Sequence, residues 1–287
     1  MNQPTLPQYR NHSRKYDQNK FVYPVVSRRS RGISIGVNLN PDRICNFDCI
    51  YCQVDRRSES ETRFVEMDRL LTEIDEMLSL ITSGAIYSEP AFQTVPEHLR
   101  RLNDIAFSGD GEPTTFRNFP DIITKVAELK KAHQLPDVKM VLITNASMFH
   151  RDNVQRGLEI LDENNGEIWA KLDAGTDAYY HLIERTKIPF SRVLDNLLSA
   201  ARIRPIVIQS MFLKVNGEGP SQDEIDAYLG RLNDLIANGG TIKLVQVYTV
   251  ARPPAESFVT PLTNDEVDGI VNRIRSETGL AAEPFYS

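Results

Sequence analysis

The sequence predicts an α/β fold, a partial (β/α)6 TIM-type barrel preceded by a basic N-terminal extension. Three observations predict it. From residue 32 onward, six short β-branched runs alternate with six amphipathic helical periods. No internal repeat or low-complexity segment interrupts them. The length of 287 residues, 41% of them hydrophobic, suits a single soluble α/β unit. Such alternation demands a mainly parallel sheet with crossover helices.

In chain order, strands are predicted over residues 33–39, 104–107, 139–144, 167–172, 205–212 and 242–248. Helical periods fall at 66–82, 119–132, 151–164, 189–201, 221–237 and 263–277. Ser221, followed by Gln222, Asp223 and Glu224, supplies a hydroxyl cap and acidic residues for a first turn. Asn238, Gly239 and Gly240 supply a left-handed stop for the same helix. Residues 83–101, which carry Pro90 and Pro96 and show no clear period, read as a surface insertion. No composition shift marks a second domain, so residues 32–287 are expected to form one barrel and residues 1–31 a basic arm.

Charge is unevenly placed. The arm holds Arg10, Arg14, Lys15, Lys20, Arg28, Arg29 and Arg31 against Asp17 alone, while the whole chain is at −6. A cationic arm on an acidic body suits a phosphate-bearing partner such as RNA, although a solvated tail has the same composition. Arg28 and Arg29, just before the first predicted strand, suit surface ion pairs. With no run of eighteen apolar residues and a polar N-terminus, a cytoplasmic chain without a membrane partner is expected. Three cysteines within eight residues argue against a disulfide framework and for a reducing compartment.

Those cysteines form CNFDCIYC, with Cys45, Cys49 and Cys52 in CX3CX2C spacing on the loop after the first predicted strand. Three thiolates can hold three irons of a cubane and leave the fourth iron open to a reactant. A zinc knuckle would need a histidine to complete its tetrahedron, and none of the five histidines stands at local ligand spacing. The motif, with Tyr51 before its last cysteine, resembles that of the radical S-adenosylmethionine (SAM) superfamily. The resemblance implies a [4Fe-4S] cluster on the three cysteines, with the amine and carboxylate of SAM on the open iron, and makes Tyr51 a candidate cofactor-binding residue. It further implies reductive cleavage of SAM to a 5′-deoxyadenosyl radical and an electron donor of flavodoxin or ferredoxin type.

FSGDGEPT follows the second predicted strand, where α/β barrels place active-site loops. Gly109 and Gly111 allow close backbone approach to a ligand, and Glu112 can accept hydrogen bonds from an ammonium group. The segment is similar to the superfamily's glycine-rich SAM-amine motif, which makes Ser108, Gly109, Asp110, Gly111 and Glu112 candidate cofactor residues. Polar residues at other strand ends need partners. Asn145, Lys171, Asp173 and Gln209 are candidates for the ribose or adenine of SAM, with Ser210 and Gln246 beside them. Internal hydrogen bonds at the barrel mouth are the competing reading for each.

The wider pattern, YPVVSRRSRGISIGVNLNPDRICNFDCIYCQVD with GEPT, WAKLDAGT and VQVYTVARPPAE, resembles a group related to tRNA wyosine synthases, the 4-demethylwyosine synthases. Those enzymes use a lysine Schiff base and a second iron–sulfur cluster. Here all three cysteines belong to the first motif, so none remains for a second cubane, and Lys171 reads more simply as a salt-bridged strand-end lysine. Arg252, with Tyr248 beside it, is a candidate for a substrate phosphate or carboxylate. No catalytic residue is assigned. The leading expectation is hydrogen abstraction from a substrate still to be identified, with modified tRNA nucleosides the first class to test. The alternatives are a glycyl-radical activase acting on a partner protein and a non-catalytic, metal-containing RNA-binding module.

Overall fold

Strands and helices alternate along the chain as the periodicities require, in a computed structural model that describes Leu6, Gln8 and residues 16–287. Arg10, Arg14 and Lys15 of the basic arm lie outside the described residues. The chain divides into two compact units. One takes in residues up to Ile44, Ser58–Leu142 and Asp152–Glu167; the other takes in Cys45–Arg57, Ile143–Arg151 and Ile168–Ser287.

The first unit contains β1 (Val22–Ser27), β2 (Gly32–Val37), α1 (Met67–Thr82), β3 (Leu102–Phe107), α2 (Phe119–Ala132), the start of β4 (Lys139–Thr144) and α3 (Asp152–Glu163). Its strands are hydrogen-bonded in chain order. β2 and β3, and β3 and β4, are parallel, whereas β1 runs antiparallel to β2 with Val22 opposite Val37. All six residues of β2 are buried, as expected of a strand covered on both faces. Leu70, Ile74, Met77, Leu78 and Ile81 recur at helical spacing on α1 and are buried.

β1 falls inside the stretch read as arm. Its sequence, VYPVVS, carries a proline and is flanked by basic residues, which disguises a strand; Pro24 is tolerated because β1 is an edge. Residues 83–101, read as a surface insertion, form two short 3-10 turns at Ala85–Ser88 and Glu97–Leu99. Ile86, Phe92, Val95 and Leu99 are nevertheless buried there, so the segment is anchored by apolar side chains.

The second unit receives the end of β5 (Gly166–Lys171) and contains α4 (Asp177–Glu184), α5 (Phe190–Ile203), β6 (Ile206–Met211), β7 (Leu213–Val215), α6 (Gln222–Ala237), β8 (Ile242–Tyr248), β9 (Val259–Pro261), α7 (Asn264–Thr278) and β10 (Ala282–Phe285). The order β5-β6-β8-β10 is parallel throughout. β7 and β9 form a separate antiparallel pair. Ser221 caps α6 by accepting from the Glu224 amide, and Gly239 beyond its end has φ +85°, as the sequence requires. β10 escapes notice in the sequence because it is four residues long and contains Pro284. Among the described residues no helix is long and apolar enough to cross a membrane.

Candidate active site

In the second unit the cysteine loop is tied down by its backbone. The Asp48 and Ile50 amides donate to the carbonyls of Glu184 and Ile183, at 3.1 and 2.9 Å, and the Cys52 carbonyl accepts from the Ala255 amide at 2.8 Å. Asn46 braces the loop further, its Nδ2 donating to Ser147 Oγ at 2.7 Å and its carbonyl accepting from Thr186 Oγ1 at 3.0 Å. Cys45, Cys49 and Cys52 are half-buried and free of disulfides.

Beneath the loop lies a buried polar cluster. Tyr51 donates its hydroxyl to Asp173 Oδ2 and approaches Glu184 Oε1 at 3.2 Å. Asp173 Oδ1 accepts from the Met211 amide at 2.7 Å, and Oδ2 pairs with Lys171 Nζ at 3.0 Å. Lys171 also donates to the Tyr248 hydroxyl at 2.8 Å and sits over the rings of Tyr51 and Tyr248, at 4.8 and 5.5 Å from their centroids. Burial alone would lower the Lys171 pKa, but Asp173, Tyr248, Glu184 and Cys49 together hold it well above the usual lysine value.

Glu184, which the sequence reading missed, accepts a hydrogen bond from the Cys49 thiol at 2.6 Å. Burial and the neighbouring Asp173 push its pKa up to about 8, and burial pushes the Cys49 thiol up as well. Tyr180, Ile183 and Glu184 share the buried face of α4, where a carboxylate needs a partner. Arg56, also missed, donates from Nη2 to Cys52 Sγ at 3.4 Å.

The other candidates of this unit settle differently. Register places Lys171, Gln209 and Gln246 in one row across β5, β6 and β8. Gln209 donates to Gln246 Oε1 at 2.7 Å, and Ser210 bonds Tyr228 at 2.6 Å, both internal pairings. Asn145 donates to Asn46 Oδ1 at 2.9 Å and thereby supports the cysteine loop. Tyr248 joins the cluster through Lys171, while the Arg252 carbonyl accepts from Gln53 at 3.4 Å.

In the first unit the loop from Ser108 to Glu112 leaves β3, with the Ser108 amide donating to the Val37 carbonyl at 3.1 Å. Asn38 organises it: Oδ1 accepts from the Asp110 and Asn40 amides at 3.1 and 3.0 Å, and Nδ2 donates to Asp110 Oδ2 at 2.8 Å. A Cβ on Gly109 would collide with Asn38, and one on Gly111 with the Ile44 carbonyl and Asn40. The glycines therefore admit neighbouring protein groups where the sequence reading expected a ligand to approach. Glu112 is buried and accepts from the Thr114 amide and hydroxyl at 3.1 and 2.6 Å. Asn38 and Asn40, in VNLN after β2, were not singled out from the sequence.

The residues present fit the groups the motif implies. Three free thiols on one braced loop offer one thiolate per iron. Among the described residues no three His, Cys, Asp or Glu side chains surround a point closely enough for a mononuclear ion, an arrangement a cubane with one thiolate per iron does not need. In the glycine-rich loop, Asn40 Oδ1 is buried without a hydrogen-bond partner, an acceptor suited to an ammonium group beside Glu112.

A largely parallel α/β chain with a three-thiol loop after one strand and a glycine-rich loop after the next has the arrangement of α/β enzymes whose chemistry sits on strand-end loops. The Radical SAM superfamily model matches residues 39–225, and the chain belongs to that superfamily. It is 30% identical over 249 residues to the UPF0026 protein MJ1312 of Methanocaldococcus jannaschii, covering 83% of this chain and 65% of that protein. It is 22% identical over 259 residues to a protein named GTPase Obg of Brachyspira hyodysenteriae, covering 88% of this chain and 33% of that one. The chain thus spans between a third and two thirds of the length of these two relatives. A radical SAM methyltransferase from Sphaerobacter thermophilus shares the fold, with a TM-score of 0.63 at 10% identity, covering 92% of this chain and 68% of that one. The α/β, partial TIM-type fold expected from the sequence is the fold of this chain.

Proposed function

We propose that the chain is a radical SAM enzyme that abstracts a hydrogen atom from its substrate, with Cys45, Cys49 and Cys52 as the cluster ligands. The observation that carries this reading is the set of three disulfide-free thiols on a loop braced through Ile183, Glu184 and Ala255. When bound, the cluster supplies the electron that cleaves SAM to a 5′-deoxyadenosyl radical. Glu112 and Asn40 accept hydrogen bonds from the SAM ammonium group. The cluster of Tyr51, Lys171, Asp173 and Glu184 keeps the protein beneath the cysteine loop rigid and polar.

Modified tRNA nucleosides are the first substrate class to test, on the likeness of VQVYTVARPPAE and WAKLDAGT to wyosine-synthase relatives. A flavodoxin- or ferredoxin-like protein is the expected electron donor. The test is anaerobic reconstitution with iron and sulfide, reduction, addition of SAM and chromatography for 5′-deoxyadenosine. Product in the unsubstituted protein and none in Cys49→Ala is expected. An intact cubane that neither cleaves nor binds SAM would overturn the reading.

A further inference from the structure

We infer that Arg56 is a positioning residue for the cluster, donating a guanidinium N–H to the Cys52 thiolate and thereby raising the reduction potential; this rests on the radical-enzyme reading above. The geometry is specific. Arg56 lies four residues after Cys52, and its Nη2 is 3.4 Å from Cys52 Sγ. The segment is anchored at its cysteine end, where the Cys52 carbonyl accepts from the Ala255 amide at 2.8 Å and the Gln53 side chain donates to the Arg252 carbonyl at 3.4 Å. The sulfur is therefore presented to the guanidinium from an anchored residue. Arg56 is half-buried, which limits screening of its charge by water.

Cys49 and Cys52 have different surroundings. Cys49 is bonded to the Glu184 carboxyl and lies in the field of Lys171, whereas Cys52 faces a group that carries its charge at every accessible pH. Reduction adds one negative charge to the cluster. A permanent cation and an N–H donor on one ligand sulfur stabilise the reduced form more than the oxidised form, because hydrogen bonds to sulfur and local charge set iron–sulfur potentials. An electron from a donor of modest reducing power is then accepted more readily.

The test compares unsubstituted protein, Arg56→Gln and Arg56→Lys after anaerobic reconstitution. Iron and sulfide are counted, and the reduced fraction is followed by electron paramagnetic resonance during a potentiometric titration. In Arg56→Gln the ratio of reduced to oxidised cluster at a fixed potential is expected to fall about tenfold, equivalent to about 59 mV for a one-electron couple. Arg56→Lys, which keeps the charge, is expected to recover most of that ratio. Equal titration curves for the unsubstituted protein and Arg56→Gln, at equal cluster content, would overturn the role. If Arg56→Gln fails to assemble a cluster, assembly in Arg56→Lys supports the electrostatic role, and failure in both variants overturns it in favour of a purely loop-folding one. Absence of a cubane in the unsubstituted protein would instead sink the radical-enzyme reading itself.

Discussion

Asp173 Oδ2 pairs with Lys171 Nζ at 3.0 Å and takes the Tyr51 hydroxyl as well, while its other oxygen accepts from the Met211 amide. One buried carboxylate thus joins the end of β5, the end of β6 and the aromatic residue that precedes the last cysteine of the motif. Its negative charge is distributed over three donors, and the Lys171 cation is shared with the faces of two tyrosines. A break at this carboxylate disturbs both the strand ends and the loop that carries the cysteines.

Asp173→Asn should be strongly destabilising. It keeps an acceptor for the Met211 amide but leaves Lys171 as a largely buried cation without its counter-charge, a change that typically costs about 3–5 kcal/mol. Removing both charges in Lys171→Met with Asp173→Asn should recover a large part of that loss. Urea denaturation of the two variants decides the matter: equal midpoints for the single and double variants would mean that the pair is not electrostatically coupled.

Lys171 should not form a Schiff base at neutral pH. The ammonium form persists because its pKa is held well above that of an ordinary lysine, and only the neutral amine attacks a carbonyl. Incubation with pyruvate and cyanoborohydride near pH 7.5, roughly three units below the ordinary lysine value, should leave the mass of the Lys171 peptide unchanged. Asp173→Asn weakens the hold on the proton and should raise adduct formation. A stoichiometric adduct on Lys171 of the unsubstituted protein would refute this account.

Six strands, β2 to β6 and β8, were legible because each is a short β-branched run between amphipathic periods, and the cysteine loop was legible because CX3CX2C states its ligand count outright. β1 was not, since Pro24 and the adjoining arginines resemble a loop, and only pairing of Val22 with Val37 across the turn turns that run into an edge strand. Single polar residues at strand ends split by register, which the sequence does not display. Gln209 faced Gln246 and Asn145 faced Asn46, whereas Asp173 met Tyr51 from 122 residues away along the chain. Glu184 sits on an eight-residue helix too short for its period to stand out.

Glu112→Ala should separate cluster assembly from SAM binding. Glu112 lies on the glycine-rich loop, where its Oε1 caps the turn at Pro113–Thr115 by accepting from Thr114. Loss of a charged acceptor for an ammonium group typically costs about 1.5–3 kcal/mol, a roughly tenfold to hundredfold weaker Kd. Iron content should be unchanged, and calorimetric titration with SAM reads the affinity. An unaltered Kd at equal iron would remove Glu112 from the SAM site.

Asp104 should make the protein less stable as the solution becomes less acidic. It stands between Ser34 and Lys139 in the register of β2, β3 and β4, and burial raises its pKa, with the Ser34 hydroxyl bonding it and only partly offsetting that rise. A carboxyl whose folded pKa exceeds the unfolded value of about 3.9 contributes fully below that value. The contribution is lost as pH rises through the folded pKa. Asp104→Asn removes this component, so its urea midpoint should fall less between acidic and neutral pH and should equal or exceed that of the unsubstituted protein at pH near 7. Parallel midpoint-against-pH curves for the two proteins would contradict the assignment.

Glu73 should be the clamp that holds β1 on the first unit. Its Oε1 accepts from the Lys20 amide and from Arg69 Nε, each at 2.9 Å, and its Oε2 accepts from the amides of Phe21 and Val22 at 2.8 and 3.1 Å. These three consecutive amides enter an edge strand, and Phe21 and Val22 are buried, so water cannot replace the carboxylate without opening the strand. Each buried donor left unpaired costs about 1–3 kcal/mol, which puts Glu73→Ala at roughly 3 kcal/mol or more. Glu73→Gln keeps one acceptor oxygen but turns an amide NH2 toward backbone donors, and should fall between the two. Because β1 lies at the edge, its release is local: limited proteolysis should cut within residues 20–31 of Glu73→Ala before the rest of the chain unfolds. A loss below about 0.5 kcal/mol, with no new cleavage, would mean that the pairing of β1 with β2 holds the strand without the clamp.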